Sequence, residues 1–225
     1  KNINMKKISL YVSSLAFLVA CNNTPKADSA ATGEQKEVSK ATGITYAATD
    51  ASMVTWTGSK PTGSHTGTFK LKEGSFNVLD NAVTGGSFII DITSLTNNDL
   101  AADAENKGKL EGHLKSPDFF DAEKYPVAKF EITSVAPFVA DSNGIKVLLK
   151  DATHTISGNL TLKDRTKNIS FPARITVDAN TISAMADFNI DRTLWGMNYK
   201  GPGNPQDWFI NKEVNIKLAL SANKK

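Results

Sequence analysis

One segment of the chain reads His154-Thr155-Ile156-Ser157-Gly158-Asn159-Leu160-Thr161-Leu162. His, Ile, Gly and Leu alternate strictly with Thr, Ser and Asn. A β-strand places successive side chains on opposite faces of its sheet, so apolar residues with a period of two line one face. The segment therefore predicts a strand with one buried face and one solvated face.

The same alternation occurs on both sides of this segment. Its apolar positions are Val54 and Trp56; Phe69 and Leu71; Phe76 and Val78; Phe88, Ile90 and Ile92; Ala128, Phe130 and Ile132; Ile169, Phe171, Ala173, Ile175 and Val177; Ile182, Ala184, Ala186, Phe188 and Ile190; and Val214, Ile216, Leu218 and Leu220. Turn-forming residues such as Asp80-Asn81 separate several of these strands and indicate hairpins. Antiparallel strands of this number form a sandwich or a barrel, and a barrel is favoured because closure removes the long strand edges.

Residues 97–121 interrupt the alternation. Their apolar residues Leu100, Ala104, Leu110 and Leu114 are spaced as in a helix. The segment Ser116-Pro117-Asp118 is typical of a cap followed by a first helical turn. We expect one or two short helices here, covering the rim of an all-β barrel.

The chain before the barrel is interpreted as a targeting segment and a linker. Two lysines follow Met5, and the apolar run after them is shorter than the roughly 20 residues that span a bilayer, so residues 1–20 are a signal peptide. Leu18-Val19-Ala20-Cys21 resembles the lipobox of bacterial lipoproteins, in which the cysteine receives a diacylglyceryl group. The alternative is that Cys21 is an ordinary residue near a conventional cleavage site.

Cys21 is the only cysteine of the chain, which excludes an intramolecular disulfide and agrees with lipid attachment. Residues 21–43 then form a flexible linker, because they contain almost no large apolar side chain. Residues 44–225 form the barrel domain. We expect a lipid-anchored protein of the cell envelope, at the outer membrane and facing the periplasm, since Asn22 rather than Asp follows the cysteine.

The charge of the chain excludes two classes of partner. It contains 26 Lys and Arg and 23 Asp and Glu. Loss of Lys1, Lys6 and Lys7 with the signal peptide leaves equal numbers of each sign. A neutral chain predicts neither a nucleic-acid interface nor a polybasic membrane attachment.

The sequence contains little that indicates catalysis. His65, His113 and His154 are too scattered for a zinc site, and we expect structural roles for them. His154 shares a face with Ile156 and could donate to a polar head group inside the barrel. We find no nucleophile elbow, phosphate loop or dinucleotide motif, and we expect no enzyme activity and no metal. Arg192 follows an apolar strand and could pair with a pyrophosphate or, preferably, with a neighbouring Asp.

Several segments, in order, resemble the YceI-like family. They are Leu114-Lys115-Ser116-Pro117-Asp118-Phe119-Phe120-Asp121-Ala122-Glu123-Lys124-Tyr125-Pro126, then Gly158-Asn159-Leu160-Thr161-Leu162, and then Phe188-Asn189-Ile190-Asp191-Arg192-Thr193 with Trp195-Gly196. Of the His-Ser pair usual before the first strand, only Ser52 is present. The resemblance implies a lipocalin-like, eight-stranded antiparallel barrel that holds a long isoprenoid chain in a periplasmic or secreted setting.

These observations predict a cavity and its walls. The predicted lining residues are Trp56, Phe69, Phe76, Phe88, Ile90, Ile92, Phe130, His154, Ile156, Leu160, Phe171, Ile175, Phe188, Ile190, Trp195, Ile216 and Leu218. His65 and Arg192 are predicted to contact a head group. The expected function is a lipid carrier for a polyisoprenoid or a similar amphiphile, with no cofactor unless an isoprenoid lipid or quinone is bound.

Two alternatives remain open at this point. A barrel of this size can instead be filled by its own side chains, as in a structural or stress-response envelope protein that acts through surface contacts. A lipid-acting esterase or isomerase is a weaker possibility. The sequence is also compatible with a homodimer, and it predicts contact with the membrane through the lipid anchor alone.

Overall fold

The computed structural model describes residues 24–139, 147–201 and 210–225, so the predicted signal peptide and Cys21 lie outside the described residues. The strands are β1 (Asp28–Ser29), β2 (Ala31–Gly33), β3 (Ile44–Ala48), β4 (Met53–Lys60), β5 (Gly63–Leu79), β6 (Ala82–Asn97), β7 (Val127–Pro137), β8 (His154–Leu162), β9 (Arg165–Val177), β10 (Thr181–Asp191) and β11 (Glu213–Lys224). One helix, α1 (Ala104–Lys115), follows β6, and a 3₁₀ helix (Arg192–Trp195) follows β10. Within these ranges no helix combines the length and the hydrophobicity needed to span a bilayer.

Strands β4 to β11 close into a barrel. Each pairs antiparallel with the next, and β11 pairs with β4. Strand β3 continues the line of β4, because it pairs with the same two neighbours, β5 and β11. The predicted all-β, eight-stranded antiparallel barrel is therefore confirmed, with one short helix.

The break between β3 and β4 is held by Ser52, the serine that the sequence retains from the family's pair. Its hydroxyl donates to the carbonyl of Ser221 at 2.9 Å, and the backbone N–H of Ser221 donates to the same hydroxyl at 3.1 Å. Thr49 N–H also donates to the Ser221 carbonyl, at 2.8 Å. Side-chain hydrogen bonds thus replace the strand pairing that is lost at the break.

The predicted alternation describes the two faces of the barrel wall correctly. Phe76, Ile132 and Ile169 point inward and are each 1% exposed. Gly158 occupies an inward position of β8, where a Cβ atom would lie 2.3 Å from the ring of Phe130. The glycine therefore allows an aromatic ring to lie across the strand.

The two ends of the barrel differ. At the first, the helix end, lie the turn between β4 and β5, helix α1 and the described residues between β10 and β11, 192–201 and 210–212. At the second, the hairpin end, lie the turns that follow β5 and β9. Tyr46 ties this end together, since its hydroxyl is 3.4 Å from the Asp178 carbonyl and 3.2 Å from the Ala179 carbonyl. Ile182 and Ala222 pack there with no more than 1% of their surface exposed.

The seam between β9 and β10 is short. These strands pair only from Ile182↔Val177 to Met185↔Arg174, near the hairpin end. Towards the helix end, β1 and β2 occupy the seam. Strand β1 pairs parallel with β10 at Asp28↔Phe188, and β2 pairs antiparallel with β9 at Ala31↔Ser170. The chain before the barrel therefore completes the sheet.

Beyond β2 the chain crosses the outer face of the barrel. The Lys36 N–H donates to Asn159 Oδ1 at 3.0 Å, and Asn159 Nδ2 donates to the Lys36 carbonyl at 2.7 Å. The N–H and hydroxyl of Ser39 both donate to the Ile132 carbonyl, at 3.1 and 2.9 Å. We call residues 24–43 the N-terminal strap.

The prediction that residues 21–43 form a flexible linker is wrong for residues 24–43, the part that the structure describes. The prediction rested on the lack of apolar side chains, and residues 31–37 are indeed exposed. The strap is instead held by its backbone, which hydrogen-bonds to β9, β10 and the side chain of Asn159. Composition measures the capacity to bury apolar surface, and it carries no information on such backbone pairing.

We predict that Asn159→Ala loosens the strap. The change removes both hydrogen bonds to the Lys36 peptide, which we expect to lower the free energy of unfolding by about 1–3 kcal/mol. Amide exchange at Lys36 should become faster. Ser157→Ala is the matched control, because Ser157 lies on the same face of β8 but bonds to Ser170. Denaturant unfolding and hydrogen exchange measure both effects, and equal exchange at Lys36 in the two variants would contradict the prediction.

Candidate ligand-binding cavity

The barrel is hollow. It contains a cavity of about 420 Å³, whose walls are the inward-facing side chains of β4 to β11. This volume lies within the range of roughly 300–1,000 Å³ that is usual for small-molecule sites. The alternative of an interior filled by side chains is therefore wrong for this structure.

Most of the residues predicted to line the cavity do line it. They are Trp56, Phe69, Phe76, Phe88, Ile90, Ile92, Phe130, Ile156, Leu160, Phe171, Phe188, Ile190, Ile216 and Leu218. The rings of Phe171 and Phe188 stack with centroids 4.0 Å apart, so they bridge the β9–β10 seam from inside. Alanines 128, 173, 184 and 186 also line the cavity, and they leave the space that larger side chains would fill.

The prediction is wrong for His154, Ile175 and Trp195, which do not line the cavity. His154 begins β8 at the hairpin end, and its Nδ1 lies 2.8 Å from the Thr153 hydroxyl. Ile175 is buried beside the short β9–β10 pairing at the same end. Trp195 lies in the 3₁₀ helix after β10, is fully buried, and donates its indole N–H to the Leu160 carbonyl at 3.0 Å. The register partners of His154 and Ile175, Ala173 and Ala184, do line the cavity, so alternation predicts the face of a residue but not its contact with the cavity.

The cavity opens at the helix end. Its mouth is formed by the β4–β5 hairpin, by α1 and by the chain after the 3₁₀ helix, which contribute Ser59, Lys60, Ser64, Leu110, Leu114, Tyr199 and Ile210. Helix α1 begins after Asp103, whose carboxylate accepts the Asn106 N–H at 3.1 Å, and ends at Ser116 before a proline. Glu111 fixes the helix to β6 by accepting from the Asn97 N–H at 2.7 Å.

An aromatic cluster covers part of the mouth. The rings of Phe69 and Phe120 meet edge to face at 5.4 Å. His113 meets Phe119 at 5.1 Å and Tyr199 at 4.7 Å. The segment after α1, which contains Phe119 and Phe120, therefore forms part of the rim. It does more than cap a helix, the role that the sequence suggested for its carboxylates.

Two histidines lie at this mouth, each beside a carboxylate. His65 Nδ1 is 2.7 Å from Asp99 Oδ2, and His113 Nε2 is 3.0 Å from Asp118 Oδ2. Both histidines line the cavity opening. In the sequence they are scattered residues, because nothing in it indicates that α1 packs against β6 at the mouth.

Asp99 is an anionic anchor for His65. Burial raises the pKa of Asp99, but hydrogen bonds from His65, Thr66 and Asn97 lower it by more, so the pKa lies below the usual 3.8. The carboxylate therefore stays charged at neutral pH and orients the imidazole ring at the mouth. This position agrees with the predicted head-group role of His65 but does not test it.

Arg192 lines the cavity, and its predicted contact with a head group stays a prediction. It is 3% exposed at the inner edge of the mouth, and its guanidinium donates to four backbone carbonyls, those of Met197, Tyr199, Ile210 and Asn211. Burial lowers the pKa of Arg192, an effect that Asp191 partly offsets. The preferred ion pair with a neighbouring Asp is not formed, since Asp191 binds Lys212 at 3.1 Å instead.

Two further features bear on what the site can hold. The Trp56 indole N–H is buried in the cavity wall and has no hydrogen-bond partner within the described ranges. The described residues also contain no cluster of His, Cys, Asp and Glu that could hold a metal ion. The cavity thus offers apolar contact along its length, one unpaired indole N–H in its wall and hydrogen bonding at its mouth.

A hollow antiparallel barrel with an apolar cavity open at one end defines a class of ligand-binding protein. The family model of the YceI-like domain matches residues 46–222, and the chain belongs to this family. A UPF0312 protein of Pseudomonas putida is 33% identical over 144 residues, which is 61% of this chain. The match spans 65% of the length of that relative, less than two thirds.

Two solved structures share the fold. BcnA of Burkholderia cenocepacia superposes with a TM-score of 0.56 at 21% identity, covering 76% of this chain and 96% of BcnA. A polyisoprenoid binding domain from Saccharophagus degradans, implicated in plant cell wall breakdown, gives a TM-score of 0.57 at 15% identity. It covers 82% of this chain and 100% of that domain. At these identities the likeness concerns the fold.

We predict that Asp191 stabilises the mouth in a pH-dependent way. Burial raises the pKa of Asp191, but hydrogen bonds from Thr193 and Lys212 lower it by more, so its folded pKa lies below the unfolded 3.8. The stabilisation is therefore present above about pH 3.8 and is lost as the pH falls through the folded pKa.

Asp191→Asn should lower the free energy of unfolding at pH 7 by about 1 kcal/mol, because the carboxylate is partly exposed. The difference from the wild type should shrink below pH 3.8. Asp80→Asn, at an exposed turn, is the control. Denaturant unfolding across this pH range measures the difference, and a loss that is equal at pH 7 and pH 3 would contradict the assignment.

Proposed function

We propose that this protein is a carrier that holds one long-chain lipid, of polyisoprenoid or similar chemistry, in its barrel at the bacterial cell envelope. The observation that carries the proposal is the apolar cavity of about 420 Å³, closed at the hairpin end and open at the helix end. Such a shape admits a single slender chain, tail first. The proposal assigns binding and transport, without a chemical step.

The walls favour a hydrocarbon ligand. Phe, Ile, Leu and Ala side chains line the length of the cavity, and each Å² of apolar surface removed from water contributes roughly 25 cal/mol. A polar ligand would lose its hydration there and would find few partners, such as the unpaired Trp56 indole N–H. The domain from Saccharophagus degradans, which is named for polyisoprenoid binding, supports the same class of ligand.

The mouth favours a polar or anionic head group. A tail that fills the barrel leaves its head beside His65, His113, Lys60 and Lys200, all of which border the opening. Imidazole and ammonium groups donate hydrogen bonds to phosphate, carbonyl or hydroxyl oxygens. A lipid phosphate and a quinone both meet these requirements, and neither requires a contact with Arg192.

The setting is part of the proposal. Lipid attachment at Cys21 would keep the carrier beside its membrane, and two or more acyl chains give durable anchoring. We place the protein at the outer membrane, facing the periplasm.

Extraction of the natively produced protein with organic solvent, followed by mass spectrometry, tests the function. We expect about one long-chain lipid per protein molecule. The variant Ala186→Phe fills the cavity from an inward position of β10 and should reduce the recovered lipid more than tenfold. Ser183→Phe places the same ring on the exposed face of that strand and should retain the lipid.

Circular dichroism and denaturant unfolding confirm that both variants fold. Repeated absence of lipid from the wild-type protein would overturn the proposal. Equal lipid content in the two folded variants would show that the lipid binds outside the barrel.

A further inference from the structure

The N-terminal strap begins at the mouth of the cavity. The Thr24 hydroxyl lies 2.9 Å from the Ser59 hydroxyl, and Asn211 Nδ2 donates to Thr24 at 3.2 Å and to Ser59 at 2.8 Å. Thr24 is 9% exposed. Ser59 and Ile210, the neighbour of Asn211, both line the mouth. The first described residue of the chain is therefore fastened to the rim.

The strap is held again directly after this point. Asn189 Nδ2 donates to the Pro25 carbonyl at 3.1 Å, and the Ala30 N–H donates to the Asn189 carbonyl at 2.9 Å. The carboxylate of Asp28 accepts the N–H groups of Leu148 and Leu149 at 2.9 and 3.0 Å. The start of the strap thus contacts strand β10 and a loop, in addition to the contacts of Thr24.

These contacts limit how far Cys21 can lie from the mouth. Three residues of extended chain span at most about 11 Å, so Cys21 stays within that distance of Thr24. A flexible linker over residues 21–43 would instead have an end-to-end distance of roughly 25 Å and would leave the barrel free to tumble. The strap therefore converts a long tether into a short one.

We propose that the barrel stands on the lipid bilayer with its cavity mouth against the membrane surface. The inference rests on the lipid attachment included in the proposed function. Acyl chains on Cys21 place that residue at the bilayer interface, and about 11 Å of chain then holds the rim next to it. The hairpin end points away, at a distance of about 30 Å, which is the length of a nine-residue strand.

This orientation gives the proposed carrier a direct route by which lipid enters its cavity. A lipid that enters the barrel tail first from the bilayer meets the opening directly, and its hydrocarbon chain does not cross bulk water. The helix end of the barrel thus faces the membrane surface, and the acyl chains of Cys21 attach the protein to it. A neutral protein surface suffices for this arrangement, because no polybasic patch is required.

Fluorescence quenching in vesicles tests the orientation. The lipidated full-length protein is reconstituted into phosphatidylethanolamine and phosphatidylglycerol vesicles that contain headgroup-spin-labelled lipid. Lipidation consumes Cys21, so Thr62→Cys at the mouth and Asn180→Cys at the hairpin end each provide one thiol for a fluorophore. We expect quenching at position 62 to exceed quenching at position 180 at least threefold. Equal quenching would overturn the proposal, as would an intact mass without acyl chains.

A second variant separates the strap from the anchor. Insertion of 15 Gly and Ser residues between Asn23 and Thr24 keeps every strap contact but lengthens the free chain, so quenching at position 62 should fall to the level at position 180. Quenching that is unchanged by the insertion would also overturn the proposal.

The failure of this inference and the failure of the proposed function are distinguishable. Lipid that is extracted from a protein with no quenching asymmetry supports the carrier and overturns the orientation. Asymmetric quenching in a protein that yields no lipid supports the orientation and overturns the carrier.

Discussion

Closure of a β-barrel requires a hydrogen-bonding partner for every strand edge. At the β9–β10 seam of this chain, the two barrel strands pair with each other over only part of their length. Direct pairing ends at Met185↔Arg174. Beyond it, the edges of β9 and β10 would present unpaired N–H and C=O groups, which proteins cover or pair. Strands β1 and β2 pair with these edges from outside, while Phe171 and Phe188 stack across the seam from inside.

The shape of the cavity also follows from the separation of β9 and β10 at this seam. Where β9 and β10 separate, the wall gains width, and it gains that width only towards the helix end. At the hairpin end the two strands pair directly, and Ile182 and Ala222 are packed with almost no exposure. A barrel that widens towards one end has its space and its opening there. Both the closure of the barrel and the shape of the cavity therefore depend on the strap.

The sequence predicted those features that depend on side-chain periodicity. Alternation identified the inward residues, from Trp56 on β4 to Leu218 on β11, because burial acts on side chains and has the period of the strand. The family resemblance added the number of strands. Alternation could not show which residues of a face reach the cavity: His154 does not line it, although its register partner Ala173 does. It also could not predict that His65 and His113 both line the mouth, since the position of His113 depends on the docking of α1 by Glu111.

The strap could not be predicted for a related reason. Its partners are backbone groups and outward polar side chains such as Asn159 and Asn189, and in the sequence these look like ordinary solvated positions of a strand. A buried amide on the outer face of a barrel implies a covering segment, since an unpaired buried amide costs about 1–3 kcal/mol. The burial of Asn159, Asn168 and Asn189 is visible only once the fold is known.

Arg192 connects the mouth to the strap. Its guanidinium binds the carbonyls of Met197 and Tyr199 and those of Ile210 and Asn211, two neighbouring segments at the mouth. The side chain of Asn211 in turn holds Thr24 and Ser59. A single buried cation thus supports the rim and the fastening of the strap together. A shift of the rim would change the hydrogen bonds of Thr24. The position of the rim and the attachment of the strap are therefore coupled.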